Sequence, residues 1–255
     1  MALLGIDHLV VAVRDPDSAA VDLEHELGLA FRGGGQHATA GTWNRIAFLG
    51  DAYLELIGVF DRAMVLASPS FAVGQAAAAV LDLGHEGLAT WAVAVDDCEA
   101  EVTRLRGRGS PIGDSVGGSR VRPDGEVIRW VTAFPPLGPE EPPFLIEHEM
   151  AGAEWGPEAL AARHAFHHPG LGQARLGRLM LPVADPAAYA DRCETAVGIR
   201  FVADASGWTA GLGSDSVHLP ANPIAAPVVE LDASGPRVER RSLDLHGLDW
   251  FVNPR

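Results

Sequence analysis

The stretch GIDHLVVAVRDPDSAAVDLEHELGLAF, residues 5–31, is repeated later in the same chain. After a shift of 170 positions it aligns without a gap with RLGRLMLPVADPAAYADRCETAVGIRF, residues 175–201. The Asp-Pro pair at 15–16 falls on the Asp-Pro pair at 185–186, and the segments before both pairs are mostly apolar. A repeat of this length indicates a duplicated structural unit.

The local pattern of this stretch predicts a strand followed by a helix. Residues 6–13 are mostly β-branched or apolar, as in a buried strand. Asp15 can cap a helix whose first position is Pro16, where the missing N–H of proline costs nothing. Gly28 suits the position just after such a helix.

A further copy of the unit lies between the other two. It begins at Leu88 with LATWAVAVDDCEAEVTRLRGRG, which again combines a strand, an aspartate pair and a helix. Three β-rich segments follow each helix, so each unit has the order βαβββ. In this alignment His8, Thr90 and Arg178 occupy the same position of the first strand.

The repeat predicts an α+β fold made of three related modules. The expected division of the chain is a domain of two modules at 1–150 (about 1–60 and 88–150, with a helical insert at 61–87), a linker at 151–173, and a third module with extra C-terminal strands at 174–255. The pattern does not indicate where the strands after Pro227 belong.

Composition excludes several classes of partner. The 255 residues are 47% hydrophobic, which is enough for a sizeable core. Lys and Arg number 19 against 34 Asp and Glu, a net charge of -15, so nucleic acid and anionic membranes are not expected partners. No apolar stretch approaches a membrane span. Because Cys98 and Cys193 lie far apart without a CxxC pattern, we expect a reduced, soluble, cytoplasmic protein.

Two common nucleotide-binding motifs are missing from the sequence. There is no Walker A motif and no GxGxxG, so nucleotide and dinucleotide functions are not supported. The segment RHAFHHPG contains His164, His167 and His168 but lacks the HExxH spacing of a metalloprotease. We expect it to belong to the linker.

Several motifs in order resemble those of a known superfamily. IDHLVVAV, GTWNRIAFLGDAYLELIGV and HPGLGQARLGRLMLPVADP, together with the repeated βαβββ unit, resemble the vicinal oxygen chelate superfamily and its glyoxalase-like domain family. The resemblance covers about residues 1–205. It implies that two modules pair to form a cupped sheet around a site.

The resemblance also implies a metal site. His8 matches the first ligand of metal-binding members, Glu55 the fourth-strand glutamate of the first module, and Glu147 that of the second. Such a set would suit Zn, Mn, Fe or Ni, and Glu55 and Glu147 are also candidate catalytic groups. Thr90 departs from the pattern, because metal-binding members usually carry a stronger ligand there. This departure disfavours a ring-cleaving dioxygenase.

Strand alternation indicates that the His8 side chain points into the cup. For each candidate ligand a structural role is an alternative. His8 shares a face with Ile6 and Val10, opposite Leu9 and Val11. The structural alternatives are a hydrogen-bonded cavity histidine for His8, an ion pair with Arg45 or Arg129 for Glu55, and a solvent-facing side chain for Glu147. His148 replaces Glu147 in the cup if the last strand is shifted by one residue. The candidate substrate-binding residues are Thr90, Asn44, Arg129, Trp130 and His37.

Two functions of different classes are consistent with these residues. The first is a divalent-metal-dependent lyase or isomerase that acts on vicinal oxygens through an enediolate-type intermediate. The second is a non-catalytic small-molecule binder without a metal, whose cup is lined by Trp43, Trp91 or Trp130. Pairing of the modules within one chain or across a homodimer remains an alternative in both.

Overall fold

The computed structural model describes residues 3–68, 72–122, 124–136, 140–235 and 238–255. Residues 69–71 of the predicted insert at 61–87 lie outside the described residues. Among the described residues, no helix is long and apolar enough to span a membrane.

The first half of the chain contains two copies of the βαβββ unit. The elements of the first copy and its insert are β1 (Gly5–Ala12), α1 (Pro16–Glu26), β2 (Gly33–His37), β3 (Thr42–Leu49), β4 (Ala52–Val59), α2 (Arg62–Ala67) and α3 (Ala72–Asp82). Those of the second copy are β5 (Gly87–Ala94), α4 (Cys98–Arg106), β6 (Val116–Val121), β7 (Val127–Ala133) and β8 (Phe144–His148).

These eight strands close into a barrel in the order β1-β4-β3-β2-β6-β7-β8-β5. Within each module the first strand is parallel to the last, β1 to β4 and β5 to β8. The modules join through the antiparallel pair β1 and β5 and through one bridge between Gln36 of β2 and Val121 of β6. The two modules therefore pair within one chain, and the α+β fold of paired modules is confirmed.

The second half of the chain forms a seven-stranded open sheet. Its elements, including two helices that precede it, are α5 (Gly152–Trp155), α6 (Pro157–His164), β9 (Ala174–Met180), α7 (Pro186–Val197), β10 (Val202–Asp204), β11 (Gly207–Leu212), β12 (Asp215–Pro220), β13 (Val228–Ala233), β14 (Arg241–Leu245) and β15 (Leu248–Pro254). The strand order is β10-β11-β12-β9-β13-β15-β14.

The tail strands, which the sequence pattern did not place, form a shortened fourth module. β13 is antiparallel to β9 as β5 is to β1, and β15 is parallel to β13 as β8 is to β5. Only residues 234–240 separate β13 from β14, too few for a helix and a further strand. Without those elements this sheet does not close.

The repeated helices begin as their sequences predict. Asp15 and Asp185 cap α1 and α7 with their side chains, and a proline follows each at the first helical position. Asp97 caps α4 in the same way. Gly198 ends α7 with a φ of 76°, a left-handed conformation that glycine adopts without steric cost.

One hydrophobic core joins the barrel to the open sheet. Leu9 and Val11 on the outer face of β1 belong to the same buried cluster as Val217, Leu231 and Trp250 of the open sheet. The helices α1, α4 and α7 contribute to this cluster as well. The third module therefore covers the outside of the barrel and leaves the inside available for a site.

Candidate active site

The barrel interior is partly filled by the insert. Val73 and Ala77 of α3 pack with Val10 and Ala12 of β1 in an apolar cluster. The remaining interior is a cavity of about 630 Å³ including its opening to solvent. A cavity of this size is in the range of small-molecule binding sites.

Seven strands contribute polar side chains to this cavity. They include His8 of β1, His37 of β2, Asn44 of β3, Glu55 of β4, Arg120 of β6, Thr132 of β7 and His148 of β8. Their sequence neighbours Leu9 and Leu54 belong to the outer core, as strand alternation requires. Closure of the barrel therefore brings together groups that are far apart in sequence.

A bulge in β1 adds an acidic residue that sequence reasoning missed. The register with β5 shifts between Ile6 and His8, so Asp7 is an extra residue in the strand. Ile6 packs in the outer core, and the prediction that Ile6 shares a face with His8 is therefore wrong. The only signal in the sequence was a charged residue inside an otherwise apolar strand.

Asp7 is shared by two imidazole rings. Its Oδ1 lies 2.6 Å from Nδ1 of His8 and 3.1 Å from Nε2 of His148. Burial acts to raise the pKa of Asp7, but His148 and His8 outweigh it and hold that pKa far below its usual value. Asp7 is therefore an ionised carboxylate that accepts hydrogen bonds from both rings.

Glu55 faces the other side of His8. The Nδ2 of Asn44 donates to Oε1 of Glu55 at 2.6 Å, and the backbone N–H of Gly35 donates to Oδ1 of Asn44 at 2.9 Å. The second oxygen, Oε2 of Glu55, lies 3.5 Å from Nε2 of His8. The alternative partner Arg45 instead pairs with Asp17 at 2.5 Å. Glu55 is thus held in one orientation within the site.

His37 is a neutral imidazole in the wall of the cavity. Its Nδ1 lies 2.9 Å from Oγ1 of Thr42. Burial lowers the pKa of His37 most; Glu55 opposes this and Arg120 adds to it, which gives a pKa of about 4. Its ring meets the edge of Trp130 at a centroid distance of 6.0 Å.

The segment predicted as a linker, 151–173, forms part of the cavity wall. Trp155 of α5 stacks on His148 with ring centroids 3.4 Å apart. Its neighbour Glu154 forms a buried ion pair with Arg120 and also accepts from Nη1 of Arg122 at 2.9 Å. These contacts secure α5 to strand β6 beside the polar groups.

Glu147 and Thr90 do not line this cavity. On β8, Phe144 and Ile146 pack inside the barrel, so Glu147 points outward, where its Oε2 accepts from the backbone N–H of Cys98 at 2.8 Å. The prediction that Glu147 faces the cup is therefore wrong, because the inner face of β8 is formed by Phe144, Ile146 and His148. Thr90 lines a separate, mostly apolar cavity.

The remaining predicted residues divide between the two faces. Trp130 lines the cavity, whereas Arg129 points outward on the same strand and pairs with Glu149 at 3.6 Å. The prediction of Arg129 as a substrate contact is therefore wrong. Trp91 is buried in the outer core, and Trp43 lines a groove on the surface, so neither lines the cup.

The histidines of the RHAFHHPG segment have structural contacts. Nδ1 of His168 accepts from the backbone N–H of Ala30 at 3.0 Å, and Nε2 of His168 lies 2.9 Å from the carbonyl oxygen of Phe48. His164 pairs with Asp51 at 2.8 Å. These contacts attach the segment to the outside of the barrel.

The donor set does not fit the three-ligand metal centre expected from sequence. Val10 pairs with Glu55 across β1 and β4, and Ala92, at the equivalent place in the second module, pairs with Phe144. The second module thus presents a phenyl ring where the first presents Glu55. Nε2 of His8 and Oε2 of Glu55 are two donors, fewer than the three protein ligands of a catalytic zinc site. In the part of the chain that the structure describes, no group of three His, Cys, Asp or Glu residues is arranged to hold a metal.

Comparison with known proteins gives a family and a fold. A family model described as a glyoxalase-like domain matches residues 6–197. A search of curated proteins found no match. A hypothetical protein from Staphylococcus aureus superposes with a TM-score of 0.78 at 14% identity, over 98% of this chain and 99% of that chain.

Two further solved structures are similar to this chain to a lesser degree. A triple mutant of 4-hydroxymandelate synthase from Streptomyces coelicolor has a TM-score of 0.53 at 13% identity and covers 92% of this chain and 72% of its own. Methylmalonyl-CoA epimerase from Mycobacterium tuberculosis has a TM-score of 0.43 at 21% identity and covers 60% of this chain and 92% of its own. At 13% identity the match to the synthase informs on the fold alone.

Proposed function

The chain belongs to the glyoxalase-like domain family of the vicinal oxygen chelate superfamily, and on that premise we propose that it is a lyase or isomerase for a small molecule with vicinal oxygens. The reaction removes a proton from a carbon beside a carbonyl group and forms an enediolate-type intermediate. The observation that supports it is the buried chain of contacts Asp7–His8–Glu55–Asn44 at the cavity.

His8 is the proposed general base. Because ionised Asp7 can only accept hydrogen bonds, the ring nitrogen facing it, Nδ1 of His8, carries hydrogen. The opposite nitrogen, Nε2, is then free to take a proton from a substrate held in the cavity. A carboxylate that orients an imidazole in this way also stabilises the imidazolium that forms.

Glu55 is the proposed partner of His8 in the proton transfer. Its Oε2 is within 3.5 Å of Nε2 of His8, so it stabilises the positive charge that develops there. The hydrogen bond from Asn44 keeps the carboxylate pointing at this place. In an isomerase the proton removed by His8 returns to the neighbouring carbon, and a second proton moves from the hydroxyl oxygen of the substrate to its former carbonyl oxygen, so the atoms and charge balance.

A divalent metal would add charge stabilisation at the substrate oxygens, but it needs ligands beyond His8 and Glu55. No step above depends on one. The metal-dependent form of the proposal is tested by elemental analysis of protein purified without a tag. Near-stoichiometric Zn, Mn, Fe or Ni in the wild type, and its loss in His8→Ala, would support a metal-dependent reaction.

The first prediction concerns exchange of carbon-bound hydrogen. Wild-type protein in D2O is expected to introduce deuterium beside the carbonyl of glyceraldehyde or dihydroxyacetone, measured by proton NMR. His8→Gln should lower the rate by about 100-fold or more, since general base catalysis typically contributes at least that much. His218→Gln, which changes a buried imidazole of the open sheet, is the matched control and should leave the rate unchanged. Equal rates in wild type and His8→Gln would refute the assignment.

A non-catalytic binder is the second candidate, and the aromatic wall of the cavity favours it. Trp130, Trp155, Tyr53 and Phe144 all line the cavity. Quenching of tryptophan fluorescence by small aromatic probes, lost in Trp130→Leu, together with an absence of exchange on the carbonyl probes, would support this function over the first.

A further inference from the structure

We propose that His148 is a second acid–base group of this site, coupled to His8 through Asp7, and that the substrate class is one whose proton is removed on one side and returned on the other. This proposal rests on the proposed function and extends it. The sequence resemblance points to Glu147 at this place, but the residue that lines the cavity is its neighbour His148.

The tautomers of both rings follow from the shared carboxylate. Oδ1 of Asp7 lies within hydrogen-bond distance of Nδ1 of His8 and Nε2 of His148. Since a carboxylate only accepts, both of these nitrogens carry hydrogen. The nitrogens that gain and lose a proton are then Nε2 of His8 and Nδ1 of His148.

Nδ1 of His148 is buried and has no hydrogen-bond partner among the described residues. Buried polar groups in proteins nearly always have a partner, so this nitrogen calls for a ligand or an ordered water molecule. One face of the ring is covered by Trp155, whose plane lies at 12° to it, so a partner must approach the ring edge. The side chain of His148 is 7% exposed, which favours a molecule enclosed in the cavity over bulk solvent.

The surroundings of His148 contain few other titratable groups. Asp7 and His8 face it from β1, and the Tyr53 ring of β4 lies 6.3 Å away. Burial raises the pKa of Tyr53 well above its usual value, so the phenol stays neutral. Beyond Trp155 lies the guanidinium of Arg163, 4.5 Å from the indole centroid. Asp7 is therefore the only anion in contact with the ring among the described residues.

Two bases around one anion suit a reaction with two proton transfers. His8 lies on β1 and His148 on β8, with β5 between them, a spacing of about 10 Å between strands. A small substrate in the cavity loses a proton to Nε2 of His8 and gains one from Nδ1 of His148. The electron pair of the broken C–H bond resides in the enediolate and then forms the new C–H bond. Exchange with water restores both rings, so the net change is inversion or isomerisation.

The test separates the two bases. In D2O with D-glyceraldehyde as the probe, wild type is expected to exchange the C2 hydrogen and to form L-glyceraldehyde. His148→Gln retains an amide that can donate to Asp7 but cannot transfer a proton. It should lower L-glyceraldehyde formation by about 100-fold while exchange into D-glyceraldehyde stays within about threefold of wild type. Thermal unfolding of both proteins checks that the variant is folded.

Other outcomes overturn the proposal. Wild-type L-glyceraldehyde formation in His148→Gln, or loss of exchange together with inversion in the folded variant, shows that His148 is not a separate base. If wild type exchanges nothing, the proposed function fails, and nitrogen NMR of the imidazoles then decides the inference. Hydrogen on Nε2 of His148 and a change in both ring signals in Asp7→Asn support the shared carboxylate. Hydrogen on Nδ1 of neutral His148, or no change in Asp7→Asn, overturns it.

Discussion

The closed barrel and the open seven-stranded sheet share a strand order, yet equivalent residues differ in how far they are exposed to solvent. His8 in the barrel has a 3% exposed side chain, whereas Arg178, at the same position of the repeat, is 46% exposed. Arg178 pairs with Glu230 at 3.9 Å across the open face. The same frame therefore yields a desolvated site only where the sheet closes, because closure removes water and strengthens electrostatic contacts.

The largest expected effect tests whether the two regions depend on one core. Trp250 of the open sheet is fully buried, and Trp250→Ala is expected to lower the free energy of unfolding by about 5 kcal/mol. Phe251, its neighbour on the opposite face, is the control, and Phe251→Ala should cost less than about 1 kcal/mol. Urea unfolding followed by fluorescence should show one transition, since the core is shared. Two separate transitions would contradict a joint core.

The next effect compares a buried ion pair with an exposed one. Arg120 and Glu154 in the barrel are both 4% exposed, so Glu154→Gln leaves a buried charge without its partner and should cost about 4 kcal/mol. In the open sheet, Arg175 and Asp232 form a partly exposed pair at 2.7 Å. Asp232→Asn should therefore cost about 1 kcal/mol or less. Equal losses in denaturant titrations would mean that closure does not desolvate the barrel pair.

The smallest effect concerns pH and a matched pair of histidines. His37 and His218 each lie 2.9 Å from a threonine hydroxyl, Thr42 and Thr209 respectively. The pKa of His37 is about 4 in the folded protein and near 6.5 when unfolded. Between these values the unfolded state binds more protons, so stability is complete above pH 6.5 and falls as pH drops toward 4.

This decrease in the free energy of unfolding is on the order of 3 kcal/mol, because each unit of pKa difference between the folded and unfolded states corresponds to 1.36 kcal/mol. Urea titrations at several pH values should show it in wild type and in His218→Gln, which keeps His37. His37→Gln should lack this part of the pH dependence. An identical slope in His37→Gln would show that the barrel does not hold a neutral imidazole there.

Much of the fold could be predicted because it depends on local pattern. Each signal lies within a few residues of the structure that it specifies. The signals are the aspartate caps, the prolines after Asp15 and Asp185, and the alternation of β1 and β4. These signals predict helices, strands and their inner faces, including His8 and Glu55. Register is different, since a shift of one residue reverses the face of a whole strand. The sequence pattern therefore favours Glu147 as the inward residue, whereas the structure has His148 there.

The amino-acid sequence is enough to predict the repeated unit, the capped helices and the alternation of β1 from His8 onward, because short-range sterics and hydrogen bonds decide them. Tertiary packing decides that Asp7 bulges toward two imidazoles, that α5 closes the cavity wall, and that the tail leaves a second sheet open. The first of these outcomes depends on a contact between Asp7 and His148, which are 141 positions apart. No local pattern encodes the register that brings such residues together.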